Sequence, residues 1–158
     1  MGDRNKVLDK LRRLCSRREY CSSDILKKAS AALDGDMDTA REILDELVKE
    51  KYVDDLRYAS AFARDKSSIA GWGEKKIGYM LAAKGIGKDI ITEALTEIDR
   101  HKADGRLEKL LDNKWKTLKN DPQAKMKLIR FALSRGYDYE RIKEWDYERL
   151  QKTDDLGD

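Results

Sequence analysis

The apolar residues of this chain recur with the spacing of one face of an α-helix, and they do so along nearly its whole length. The first stripe is Val7, Leu8, Leu11, Leu14 and Cys15, which repeats every three to four residues. Stripes of the same kind follow one another, separated by short polar or glycine-containing turns. The pattern predicts helices throughout and no strand.

The stripes group into three sets of three helices. We predict an all-α fold of three tandem three-helix repeats forming an elongated, curved array. The predicted repeats span residues 4–53, 54–101 and 103–150, and the tail 151–158 is expected to be frayed.

The helix starts and stops carry capping signals. The residues expected to cap or open a helix are Ser22 or Ser23, Thr39 in a capping box with Glu42, Asp54 or Asp55, and Asp121 followed by Pro122 at the first helical position. Gly85 and Gly136 are expected to end their helices in the left-handed conformation. A buried stripe of Ile43, Leu44, Leu47 and Val48 is predicted for the third helix.

An internal repeat supports this division. A shift of 51 positions carries Ile77, Met80, Gly85, Ile86 and Ile91 onto Leu128, Phe131, Gly136, Tyr137 and Ile142. The basic Lys76 lands on the basic Lys127 in the same register. The first set matches more loosely, because the turn around Gly35 is longer.

Composition adds that the helices are unusually charged. Charged residues make up 41% of the 158 residues and hydrophobic residues 40%, while only one proline, Pro122, is present. Residues 1–30 hold nine basic and four acidic side chains, and residues 31–60 hold four and nine. Such segregation produces local fields although the net charge is only +3.

No constellation for catalysis is found. The single histidine, His101, lies in a charged stretch, and Cys15 and Cys21 fit no redox or metal-binding spacing. The glycines at 71–73 and 85–87 lack the preceding strand that a phosphate loop requires. We therefore expect a protein that is not an enzyme, with no catalytic residue, no metal, no cofactor and no small-molecule substrate. Without an apolar run for a signal peptide or membrane span, the cytoplasm is the expected location and no membrane partner is expected.

The candidate binding residues are basic and aromatic. Three basic residues share one helical face at i, i+3 and i+7, and further basic residues recur on the second helix of each set. These residues are Lys10, Arg13 and Arg17, then Lys27, Lys28, Lys75, Lys76, Lys125, Lys127 and Arg130, with Tyr79 one turn from its lysines. Aligned, they would form a stripe suited to phosphate or to an acidic protein surface, and Tyr79 could stack on a base. An ordinary solvated helix face is the alternative for any single residue.

Several motifs resemble the RecX family. They are KYVDDLRYA at 51–59, GWGEKKI at 71–77, LAAKGI at 81–86, LCSRREYCS at 14–22 and KLIRFALSRGY at 127–137. The resemblance covers about residues 5–146. It implies three tandem three-helix repeats and a regulator that lies in the groove of the RecA filament on single-stranded DNA, with double-stranded DNA as a second ligand. It also implies dampened ATP hydrolysis, strand exchange and LexA cleavage.

The chain departs from the family pattern at a few positions. Lys51 stands where the family has glycine, Glu74 where proline is frequent, and Ala29 where leucine follows the lysine. Two other functions stay open at this point. One is a nucleic-acid-binding module that works without a recombinase, and the other is a helical-repeat adaptor between proteins.

Overall fold

The computed structural model describes residues 2–146, and within that range the chain is helical without any strand. The helices are α1 (Gly2–Arg17), α2 (Ser22–Ala32), α3 (Met37–Lys49), α4 (Asp55–Ser68), α5 (Glu74–Ala83), α6 (Lys88–Leu95), α7 (Arg100–Leu118), α8 (Ala124–Ser134) and α9 (139–146). The predicted all-α class is confirmed. The predicted frayed tail 151–158 and the last four residues of the third repeat lie outside the described residues.

The described chain forms two compact units. One holds residues 2–62 and 80–95, and the other holds 63–79 and 96–146. Helices α4 and α5 therefore contribute residues to both units. The three repeat boundaries inferred from the sequence stay a prediction.

Each unit has an apolar core built from the predicted stripes. In the first unit α1, α2 and α3 bury Leu11, Ile25, Ile43 and Leu47 against one another, with Val53 closing the cluster. Removing these side chains from water supplies the main driving force for packing the three helices.

The second unit buries a comparable cluster from α7, α8 and α9. Leu111 and Leu128 are surrounded by Tyr137, Ile142 and Trp145. The indole of Trp145 donates a 2.9 Å hydrogen bond to Asp112, so its polar atom is satisfied inside a mostly apolar site. The core therefore contains an aromatic residue without an unpaired indole N–H.

Two predicted helix starts in the first unit are wrong because other side chains satisfy the helix amides. The cap of α3 is Asp36, whose carboxylate accepts from the amide of Thr39 at 3.1 Å, so the predicted capping box with Glu42 does not form. At the start of α2 the amide of Ser22 donates to the carboxylate of Asp55 on α4 at 2.7 Å. Neither Ser22 nor Ser23 occupies the cap position, which belongs to Cys21.

The start of α8 is also displaced from the prediction. The helix begins at Ala124, and the Asp121 carboxylate accepts from the amide of Gln123 at 2.8 Å. Pro122 thus lies in the turn before the helix instead of at its first position. By contrast, the predicted cap at Asp54 is confirmed, since its carboxylate accepts from the amide of Arg57 at 3.1 Å.

The two predicted left-handed glycines are confirmed, and both lie in turns against which another segment packs. Gly85 has φ +78° and Gly136 has φ +92°. In the second unit the amide of Gly73 donates to the carbonyl of Arg135 at 2.7 Å, and that of Lys75 to the carbonyl of Gly136 at 3.1 Å. These bonds hold the segment before α5 against the turn after α8.

The first unit contains a corresponding contact one predicted repeat earlier, in which a side chain donates instead of backbone amides. The hydroxyl of Ser23 donates to the carbonyl of Lys84 at 2.7 Å, and Lys84 forms a 3.0 Å ion pair with Asp24. Lys84 precedes Arg135 by 51 positions, the period found in the sequence. The internal repeat therefore includes a docking contact as well as a pattern of buried residues.

Candidate partner-binding surfaces

The basic residues of α1 divide into two faces with different roles. On one face, Arg4 lies 3.3 Å from Glu46 and Arg12 lies 2.6 Å from Glu50, both on or next to α3. The hydrogen bond from Arg12 holds the pKa of Glu50 below its usual range. These arginines connect α1 to α3, so their charge is compensated by glutamates within the fold.

The other face carries the α1 basic triad, defined here as Lys10, Arg13 and Arg17. All three side chains are exposed, and they form no ion pair with any residue in the described range. Like charges one and two turns apart repel each other. The triad shares one exposed face, and its binding of an anionic partner stays a prediction.

The second helix of each predicted repeat presents one exposed residue in the same position. Two residues after the buried Ile25, Ile77 and Leu128 come three exposed side chains: Lys27, Tyr79 and Arg130. We call this set the outer register. Tyr79 is 74% exposed, an unusually open position for an aromatic ring. Each of the three belongs to the predicted binding residues.

The remaining predicted basic residues are held by neighbours within their own unit. Lys75 lies 3.6 Å from Asp138, Lys125 lies 2.8 Å from Asp146 and Lys127 lies 2.5 Å from Asp121, while Lys28 and Lys76 sit over the rings of Tyr20 and Trp72. The hydrogen bond that Lys127 donates to Asp121 lowers the pKa of Asp121, and the hydrogen bond that Lys125 donates to Asp146 raises the pKa of Lys125. Because carboxylates partly neutralise Lys75, Lys125 and Lys127, these three attract a distant anion less than the α1 basic triad does. Lys28 and Lys76 keep their full charge over the rings.

Within residues 2–146, three aromatic rings each lie against two cationic side chains, a feature the sequence analysis missed. Arg18 and Lys28 flank Tyr20, Lys66 and Lys76 flank Trp72, and Lys114 and Arg135 flank Phe131, at 4.3–5.5 Å from the ring centroids. Each contact contributes about 0.5–1 kcal/mol at an exposed site. A sequence signal did exist for two of them, because Tyr20 and Trp72 both stand two residues before a second helix.

The second unit also contains a cleft of about 170 Å³, whose rim is charged. Its rim residues are paired with one another: Arg100 lies 3.9 Å from Glu74, and Lys75 pairs with Asp138. Tyr137 in its wall donates to the carbonyl of Gly71 at 2.8 Å, and burial raises the pKa of this phenol. The cleft therefore follows from the docking of two segments and presents no unpaired acid–base couple.

The remaining side chains that could take part in catalysis are the histidine and the two cysteines. His101 is exposed, Cys21 is buried with its Sγ 3.3 Å from the hydroxyl of Ser23, and burial raises the pKa of Cys15. Over residues 2–146 no three His, Cys, Asp or Glu side chains are placed to hold a metal ion. In the same range no helix combines the length and apolar character required to span a bilayer.

Comparison with known families identifies this arrangement of helices. Residues 54–95 match the model for the second three-helix domain of RecX, and residues 104–145 match the model for the third. The two matches together cover more than half of the chain and occur in the family's order. The chain belongs to the RecX family. The tandem three-helix organisation predicted from the sequence is thereby supported.

Individual RecX relatives agree with the assignment. A regulatory protein RecX of Clostridium botulinum is 36% identical over 113 residues, which are 69% of this chain and 52% of the relative. One from Chromohalobacter salexigens is 34% identical over 134 residues, covering 83% of this chain and 84% of the relative. The chain spans about half the length of the clostridial relatives.

A solved RecX structure shows the same fold. The crystal structure of a regulatory protein RecX superposes with a TM-score of 0.82 at 23% identity, covering 91% of this chain and 71% of the other. At that identity the likeness concerns the fold alone. The residues of the surfaces described above must therefore be judged from their own chemistry.

Proposed function

We propose that this chain binds the RecA filament on single-stranded DNA and inhibits its ATPase, strand-exchange and coprotease activities. Membership of the RecX family supports a recombinase as the partner, and its relatives carry the name of regulatory proteins. The regulator acts by occupying the filament in the cytoplasm, with no reaction, metal or cofactor of its own. It also binds DNA, with single-stranded DNA as the main ligand and double-stranded DNA as an additional one.

The observation that carries the proposal is the α1 basic triad. The fold neutralises Arg4 and Arg12 with glutamates but leaves these three neighbouring cations without a partner in the described range. Nucleic-acid phosphates or an acidic groove wall would supply the missing negative charge. The outer register adds one exposed position on the second helix of each predicted repeat, and each position can contribute a further contact of its own.

Inhibition then follows from occupancy. A protein lodged in the groove excludes the second DNA and the repressor that must enter it, and it resists the subunit movements that accompany ATP hydrolysis. No chemistry is required of the regulator. Binding should weaken with salt, because each phosphate contact releases about one counterion.

The test is a titration of the DNA-dependent ATPase of the cognate recombinase at fixed salt. We expect inhibition at fewer than one regulator per recombinase protomer, since one bound molecule blocks several protomers. An unchanged ATPase together with salt-sensitive binding to bare DNA would favour an independent DNA-binding module instead. An effect that appears only when a third protein is added would favour the adaptor.

A further inference from the structure

Helix α8 exposes apolar side chains that lie outside its buried face. Its inner face buries Ala124, Leu128 and Ala132. On the outer side, Met126 and Leu133 are 53% and 44% exposed, although both are large and hydrophobic. Residues seven apart lie on the same side of a helix, two turns from each other. Two apolar side chains therefore share one solvent-facing strip.

Arg130 lies between them on that strip and is exposed as well. Residues 124–134 contain three basic residues and no acidic one. Lys125 and Lys127 are held by Asp146 and Asp121, but Arg130 forms no ion pair with any residue from 2 to 146. The strip, which we call the α8 strip (Met126, Arg130 and Leu133), thus presents one available guanidinium flanked by two apolar groups.

The α8 strip differs in chemistry from the α1 basic triad. The triad presents three cations, and no large hydrophobic residue is exposed on α1 within the described range. A row of cations suits phosphates, whose binding is dominated by charge. Methionine and leucine side chains form no favourable contact with phosphate, whereas their burial against a protein surface is favourable because it removes apolar area from water. Methionine and arginine are also enriched at the centres of protein interfaces.

We propose that the α8 strip docks onto protein, specifically onto an acidic surface of the recombinase filament with an apolar depression, while the α1 basic triad contacts nucleic acid. Arg130 would pair with a carboxylate of that surface, and its fork of donors favours a bidentate bond. Met126 and Leu133 would exclude water around this pair. The inference rests on the proposed function and adds which part of the filament each surface recognises.

The experiment uses the full chain with Met126→Gln and Leu133→Gln together. Glutamine is a good helix former and both positions are exposed, so the fold should be retained. The matched control is Val48→Gln on α3, an apolar side chain of similar exposure, 46%, in the other unit. Two probes are used. The first is fluorescently labelled oligo-dT without recombinase, and the second is a recombinase filament assembled on single-stranded DNA with a non-hydrolysable ATP analogue.

We expect the double variant to bind the filament at least tenfold more weakly, which corresponds to about 1.4 kcal/mol, and to bind oligo-dT within twofold of the wild type. The Val48→Gln variant should match the wild type on both probes. Arg130→Gln should reproduce the loss on the filament with little change on oligo-dT.

Other results would overturn the inference in distinguishable ways. Equal loss on oligo-dT would assign the α8 strip to nucleic acid, and unchanged filament binding would leave it without this role. A wild-type dimer in sedimentation that the double variant abolishes would make a second copy of the chain the occupant. If the wild type itself does not bind the filament, the proposed function fails and this inference fails with it. If the double variant inhibits the recombinase as strongly as the wild type does, only this inference fails.

Discussion

A close backbone approach in the second unit lies at Gly73, and replacing this residue with alanine should destabilise that unit. A Cβ atom at this position would come 2.6 Å from the backbone amide nitrogen of Tyr137 and closer still to the carbonyl of Gly136. Those neighbours are backbone atoms, so no flexible side chain can move aside. The φ of Gly73 is not in the left-handed region, and the effect should therefore come from contact alone.

The expected loss in the free energy of unfolding follows from the contacts that the added methyl group would separate. Displacement weakens two backbone hydrogen bonds, from Gly73 to Arg135 and from Lys75 to Gly136, each with a net contribution of about 1 kcal/mol. Forcing a methyl group into a filled site costs a further 1–3 kcal/mol, roughly. The expected loss is about 3–5 kcal/mol, a large part of the total stability of an ordinary domain.

The assay is urea unfolding followed by tryptophan fluorescence. All three tryptophans, Trp72, Trp115 and Trp145, belong to the second unit, so fluorescence reports its unfolding, while circular dichroism reports both units. Gly105→Ala is the matched control, because Gly105 lies within α7 with nothing within 4 Å of the added Cβ. The same chemical change there should raise stability by about 1 kcal/mol. A Gly73→Ala midpoint equal to or above the wild-type value would refute the reasoning.

Two further predictions concern charge. Burial raises the pKa of Asp24, but hydrogen bonds from Lys84 and Cys21 outweigh burial and lower that pKa overall. The Asp24–Lys84 pair should therefore stabilise the fold fully above the pKa of Asp24 in the unfolded chain, about 3.9. This contribution should be lost as the pH falls through the lower pKa of the folded state. Asp24→Asn should lower the urea midpoint at pH 7 but not in acid, and a deficit of equal size at both would contradict the linkage. Replacing the α1 basic triad with glutamines should reduce the salt slope of oligo-dT binding by about 2, at roughly 0.7 per contact, and an unchanged slope would exclude the triad from phosphate contact.

The helices themselves were predictable because their cause is local. Apolar spacing determines which face is buried, and glycine at a helix end permits a positive φ that other residues adopt at a cost. This is why Gly85 and Gly136 were placed correctly. Val48 was predicted in the buried stripe yet is exposed, because the wide stripe of α3 extends beyond the surface that its neighbours cover.

Features that depend on a distant partner were not predictable in this way. The amide of Ser22 is satisfied by Asp55, 33 residues away, so local serines gave a misleading cap signal. The same holds for charge: Arg12 and Arg13 are adjacent in sequence, but only Arg12 forms ion pairs with Glu46 on α3 and Glu50 next to it. One-dimensional spacing identified a basic face on α1, and only the folded chain shows which cations remain available.

The outer register suggests how one scaffold can carry different binding chemistry. The buried residues before it, Ile25, Ile77 and Leu128, are all aliphatic, whereas the exposed members are a lysine, a tyrosine and an arginine. Packing constrains the first set, because a change of size or polarity in a core costs several kcal/mol. No such cost applies to exposed positions, so their identities are free to be set by a partner. If the proposed function is right, a partner that offered the same surface to each predicted repeat would be matched by three similar side chains. Three unlike side chains would instead suit a partner whose chemistry changes from one repeat to the next.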